Sequence, residues 1–102
     1  MGPLGRAVAK RASGFDMPVY YTDTQPAGDA PYTFCQTLYE LAAVCDYLVL
    51  AQPKPPAAPV VTPEVLKALG ATGYLINVCH ASAIDLPVLV SALQTKQVAG
   101  AA

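Results

Sequence analysis

Thr37-Leu38-Tyr39-Glu40-Leu41-Ala42-Ala43-Val44-Cys45-Asp46-Tyr47-Leu48-Val49-Leu50-Ala51 is the stretch on which the fold turns. Thr37 and Glu40 stand at the spacing of a capping box. The threonine hydroxyl can accept from the Glu40 N–H while the Glu40 carboxylate reaches back to the N–H of Thr37. A helix therefore starts after Thr37 and runs through Leu41, Ala42 and Ala43 to about Cys45. Asp46 breaks it. Tyr47 to Ala51 then follows without a polar interruption, which predicts a short strand covered on both faces, the setting of a parallel sheet.

The same alternation continues outward. Upstream, Leu4, Ala7, Val8, Arg11 and Ala12 recur at helical spacing, so Leu4 to Phe15 reads as a helix with a small-residue face suited to packing on a sheet. Pro3 fits its first turn, where a missing N–H costs nothing, and Gly14 and Pro18 bracket its end. Val19-Tyr20-Tyr21-Thr22 is β-branched and aromatic, hence a strand. Asp23 opens a polar stretch, and Thr24 to Pro31 reads as a loop. Downstream, Gln52 to Pro59 carries four prolines and excludes helix and central strand. Thr62-Pro63-Glu64 is a further helix start, Val65, Leu66 and Leu69 continue it, and Gly70 reads as its left-handed stop. Tyr74 to Val78 is a strand. Asp85 caps a helix through Leu86, Leu89, Val90 and Leu93 to about Thr95, and Val98 to Ala102 begins another strand. Helix and strand alternate throughout with short connections, which predicts parallel strands in an α/β three-layer sheet, one domain over residues 1–102 and no internal repeat.

Composition narrows the function classes. Of the 102 residues 54% are apolar and only 13% charged, which excludes a disordered, charge-rich tail. Six Lys/Arg against seven Asp/Glu leave a net charge of −1, so the basic face that nucleic-acid binding needs is not supplied. Apolar runs fall far short of the roughly 20 residues that span a bilayer. The opening residues Met1 to Arg6 lack the apolar core of a signal peptide. Cys35, Cys45 and Cys79 contain no Cys-x-x-Cys pair and only one His accompanies them, so no metal site is expected. The thiols read as reduced and the protein as cytoplasmic, with small buried hydrophobes as the plain role of Cys35 and Cys45.

Several strings, in this order, resemble the nucleotide-binding domain of the D-isomer-specific 2-hydroxyacid dehydrogenases, and within them the glyoxylate/hydroxypyruvate reductase branch. They are Gly2-Pro3-Leu4-Gly5-Arg6-Ala7-Val8-Ala9, Glu40-Leu41-Ala42, Cys45-Asp46-Tyr47-Leu48-Val49-Leu50, Leu69-Gly70, Leu75-Ile76-Asn77-Val78, and Leu89-Val90-Ser91-Ala92-Leu93 with Val98 to Ala102. The resemblance covers essentially the whole chain. It implies a partial Rossmann-like sheet in which Gly2 and Gly5 match the second and third glycines of G-x-G-x-x-G. The strand before them is central in the complete fold and is missing here. Its loss is expected to leave the Val19–Thr22 strand and the neighbourhood of Tyr74–Val78 without a shared partner, and the chain prone to self-association. The substrate-side domain, which the resemblance also implies, is missing too.

Site residues follow from the resemblance. Gly2, Pro3, Leu4 and Gly5 would lie against the pyrophosphate, where free N–H groups and the helix dipole favour an anion; helix–sheet packing at Gly5 is the plainer alternative. Pro3 replaces the family's usual basic residue and brings neither N–H nor charge. Asp23, 18 residues beyond Gly5, would accept from the ribose hydroxyls and oppose a 2′-phosphate, and Thr24 is not the arginine of NADP-preferring relatives. NAD is thus expected over NADP, although an Asp also initiates loops without any ligand. Pro53 would line the adenine–ribose side. Pro53, Pro56 and Pro59 at Pro-x-x-Pro spacing allow a polyproline II ligand, with a stiff surface loop as the alternative. Val78, Cys79 and His80 would close the site. His80 stands where the family carries an arginine that clamps the substrate carboxylate. A neutral imidazole cannot form that fork, and Ala81 replaces the neighbouring glycine. The parent chemistry is hydride transfer between the cofactor and a 2-keto acid, to which this chain contributes a cofactor framework and no competent catalytic set. A non-catalytic interaction or dimerisation module reusing the framework is the alternative from another class.

Overall fold

The computed structural model describes residues 1–102. In chain order it contains α1 (Pro3–Gly14), β1 (Tyr20–Tyr21), β2 (Thr33–Phe34), α2 (Leu38–Val44), β3 (Tyr47–Leu50), α3 (Pro63–Leu69), β4 (Tyr74–Asn77), a 3-10 turn (Ala81–Ala83), α4 (Leu86–Gln94) and β5 (Gly100–Ala101). All strand pairs are parallel, as the alternation predicts, but they form two sheets, β1-β2 and β3-β4-β5.

Three caps set the helix starts. Thr37 Oγ1 accepts from Glu40 N at 3.1 Å, Thr62 Oγ1 from Val65 N at 3.3 Å, and Asp85 Oδ1 from Val88 N at 3.4 Å. The capping box at Thr37 is not reciprocal in the expected way. The Glu40 carboxylate accepts from Gln36 N at 3.1 Å, one residue earlier than Thr37. Gly70 does carry a positive φ, but its φ of 87° and ψ of 172° are extended rather than left-handed helical. That turn sends the chain outward so that Gly73 N can donate to the Gly70 carbonyl at 3.0 Å. Gly73 itself tolerates no side chain, because a Cβ there would lie 2.8 Å from the Leu69 carbonyl oxygen. The left-handed positions fall instead on Asp16 and Lys96, just after α1 and α4.

The core lies under one face of the three-stranded sheet. Leu48 and Leu50 of β3 and Leu75 of β4 pack with Leu41 and Ala42 of α2, Val65, Leu66 and Leu69 of α3, and Leu89 and Ala92 of α4. Leu66 and Leu75 are completely buried. This corrects the double coverage expected for Tyr47 to Ala51. Side chains alternate along a strand, and Tyr47 is half exposed, stacked on Tyr74 at 5.5 Å and 15°. The apolar content of that second face goes into the tyrosine pair rather than under a helix. Two further corrections concern the sheet. The sequence shows no sign of β2, because two residues are too short for any periodicity and the pairing depends on Tyr20 and Tyr21 across the loop. Tyr74–Asn77, expected to lack a partner, is the best-paired strand, with β3 on one side and β5 on the other. The expectation holds for β1, which pairs only with β2, and it misplaces the second open edge, which falls on β3, paired only with β4, rather than on β4 itself.

Candidate functional site

Parallel strands deliver their carboxyl ends to one side of a sheet, and ligands of α/β folds bind in the crevice outside those ends. Of the residues singled out in the sequence, Asp23 follows β1, Pro53 follows β3, and Val78, Cys79 and His80 follow β4. Gly2 is the N-cap of α1 and Pro3 its first residue. Because Pro3 has no N–H, Leu4 and Gly5 provide the free donors of the first turn. A Cβ on Gly2 would meet nothing within 4 Å, so the space before the helix is open. A Cβ on Gly5 would lie 4.0 Å from Ala51 Cβ and 3.8 Å from Met1 Cε, ordinary contacts. Packing therefore does not demand glycine at either position, and the packing alternative for Gly5 loses its support. The same distance puts the N-terminus of α1 against the end of β3, where Gln52 and Pro53 lead away.

Asp23 follows β1 and reaches the same place. Its Oδ2 lies 2.9 Å from the amino group of Met1, and its Oδ1 accepts from Thr24 N at 2.7 Å. The Met1 ammonium bonded to it, and then the Thr24 N–H, hold its carboxyl below the usual carboxylate range. It is an anion at neutral pH, and two engaged oxygens still leave acceptor capacity. Met1 also connects Asp23 to Arg6, whose Nε donates to the Met1 carbonyl at 3.0 Å while its Nη2 contacts Asp29 Oδ1 at 2.9 Å. Arg6 and Asp29 thus tie the loop after Asp23 to α1. Neither was singled out in the sequence, since a pair 23 residues apart has no local signature.

Val78, Cys79 and His80 leave the end of β4. Val78 N donates to the Leu50 carbonyl at 3.1 Å, which keeps this loop beside the end of β3. His80 is half-buried and precedes the 3-10 turn, with its carbonyl accepting from Ala83 N at 3.1 Å. The three cysteines are free, and no cluster of three or more His, Cys, Asp or Glu is gathered. The Cys45 thiol is pushed up to about 11, by burial first and by the neighbouring Asp46 charge second. Two surface hollows, of about 240 and 390 Å³, are lined by other residues, one by Tyr47, Tyr74 and Gly100 to Ala102 on the sheet and one by Tyr39, Glu64 and Lys67. They do not coincide with this constellation. No helix is long and apolar enough to cross a membrane.

A glycine-flanked helix start, an acid after the next strand and the ends of two further parallel strands make this a nucleotide-binding α/β domain. The chain belongs to the D-isomer specific 2-hydroxyacid dehydrogenases, matching their NAD binding domain over residues 1–102. It is 39% identical over 101 residues to 2-ketogluconate reductase of Gluconobacter oxydans, covering 98% of this chain and 33% of that protein. To hydroxyphenylpyruvate reductase of Plectranthus scutellarioides it is 39% identical over 102 residues, covering 99% and 33%. The fold superimposes with a TM-score of 0.94, at 36% identity, on the NADPH-dependent glyoxylate/hydroxypyruvate reductase of Sinorhizobium meliloti in complex with NADP and malonate. That match covers 98% of this chain and 32% of the other. The chain spans about a third of the length of the curated relatives it matches.

Proposed function

We propose that the chain holds the dinucleotide of an NAD-dependent 2-keto acid reductase of the glyoxylate or hydroxypyruvate type. The observation that carries this reading is the open first turn of α1 set beside Ala51 at the end of β3, with Asp23 following β1. The residues suit the group. Leu4 and Gly5 offer main-chain donors and a helix dipole to the pyrophosphate, with Gly2 leaving the approach open and Pro3 shaping the first turn. Asp23 accepts from the ribose hydroxyls and, being anionic, repels a 2′-phosphate. NAD is therefore the cofactor, although the structural relative from Sinorhizobium meliloti is NADPH-dependent. Pro53 lies on the adenine–ribose side, and Val78, Cys79 and His80 form the wall at the end of β4. When bound, the dinucleotide supplies the hydride that reduces a 2-keto acid to the 2-hydroxy acid.

His80 does not replace a substrate-clamping arginine. Imidazole has two ring nitrogens rather than a guanidinium fork and carries no permanent charge. The 102 residues alone bind cofactor without turning over substrate. Free thiols suit a cytoplasmic setting, and the unpaired sides of β1 and β3 favour self-association. The test is a fluorescence titration of the purified chain with NADH and NADPH. NADH binds more tightly, and Asp23→Ala narrows the difference. Tighter binding of NADPH by the unmodified chain would show the ribose site misplaced, and turnover of glyoxylate abolished by His80→Ala would overturn the inactive reading.

A further inference from the structure

Asn77 closes β4, and its main chain bonds the β5 side while the neighbouring Val78 N–H bonds β3. It stands opposite Leu50 of β3, and its N–H donates to the Ala102 carbonyl at 2.7 Å. Its side chain turns forward into the loop that follows. Oδ1 accepts from Cys79 N at 3.1 Å and from the Cys79 thiol at 3.1 Å, and Nδ2 donates to the His80 carbonyl at 3.0 Å. The partners fix the orientation of this amide. Reversed, it would set NH₂ against an N–H and oxygen against a carbonyl. Beyond Val78, whose N–H still reaches the Leu50 carbonyl, no ladder holds Cys79 and His80. A side-chain link of the Asx type takes over that task.

Resting on the dinucleotide reading above, we propose that Asn77 is a positioning residue of the site. It holds the Val78–Cys79–His80 main chain in the shape that receives the cofactor and keeps the Cys79 thiol committed as a donor. Asn77 touches no cofactor in this role; it acts through the loop. Its loss frees the thiol and loosens the wall, while the sheet, anchored by main-chain bonds, persists.

The experiment uses the 102-residue chain with two readouts: alkylation of Cys79 by iodoacetamide, followed peptide by peptide by mass spectrometry, and NADH affinity. Asn77→Ala labels Cys79 several-fold faster than wild type and binds NADH about tenfold more weakly, the effect of losing hydrogen bonds to a partly buried loop. Asn77→Asp keeps the oxygen that Cys79 uses and loses the donor to His80, so Cys79 stays slow while NADH weakens. It carries the test if the alanine variant does not fold. An unchanged labelling rate in folded Asn77→Ala, or fast labelling in Asn77→Asp, overturns the clamp. Fast labelling with unchanged NADH affinity overturns the positioning role. A wild-type chain that binds no NADH overturns the site itself together with the role, and is told apart because the unmodified chain shows it.

Discussion

The two sheets are held in different ways. The β3-β4-β5 half rests on thirteen buried apolar residues and three capped helices. The β1-β2 half contributes Tyr21 to the buried set, with Ala9 the buried residue of α1. Polar and aromatic contacts do the rest. Tyr21 Oη accepts from Ala27 N at 2.8 Å, its ring meets Phe34 edge-on at 5.4 Å, and Arg6 pairs with Asp29. The difference teaches where adaptability resides. The larger half is a close-packed platform that presents the Asn77 loop, and the smaller half, which carries Asp23, is pinned by contacts that water and ligand can exchange. Local opening follows such a gradient of burial, so the Asp23 side opens more readily than the end of β4.

The severest way to break the contrast is Leu66→Ala, at a completely buried position of α3. Truncating a core leucine costs about 2–5 kcal/mol, a large part of the roughly 5–15 kcal/mol that holds a domain together. Urea titration followed by far-UV circular dichroism should show a midpoint well below wild type. A loss under about 1 kcal/mol would mean that this half is loosely packed.

A gentler probe of the same half is alkaline pH. The Cys45 thiol, packed against the core, is raised from 9.0 to about 11. The fold thus favours the neutral thiol. Its contribution is fully present below the unfolded value near 9 and is lost as pH rises through about 11. Comparing wild type with Cys45→Ala cancels the tyrosines. The wild type should lose more urea resistance than the variant between pH 8 and pH 11 (values chosen to straddle the shift, about a unit or more on either side of 9). Equal losses would place Cys45 in contact with water.

The smallest effect belongs to the other half. Arg6 and Asp29 are both exposed to solvent, and exposed ion pairs contribute about 0.2–1 kcal/mol. Arg6→Ala should leave the urea midpoint almost unchanged while speeding amide exchange in the loop from Asp23 to Phe34, and added salt should reproduce the effect in the wild type. A large drop in global stability would show that the smaller half is not the looser one.

Local chemistry made much of this readable. Thr37, Thr62 and Asp85 announce helix starts through a hydroxyl or carboxylate and an N–H three positions on. Tyr47 to Leu50 and Tyr74 to Asn77 show as strands because the chain turns apolar between breakers. The candidate site was legible as single residues, through the resemblance, but not as an assembly. Asn77 could have been found, because an Asn closing a strand two residues before a free N–H is a turn signal. Its threefold engagement depends on how Cys79 and His80 are folded back.

The amino-acid sequence by itself determined the alternation of helix and strand, the parallel sense of the strands and the residues that start each helix. All are set by neighbours within a turn or a pleat. Only the tertiary structure decided the division into two sheets, the existence of β2, the interior place of β4, the exposed Tyr47–Tyr74 stack and the meeting of Asp23, Met1 and Arg6. Those rest on contacts between residues far apart in the chain. Parallel pairing has no turn to set its register, and which strand lies beside which is settled by burial and main-chain hydrogen bonding across the whole domain.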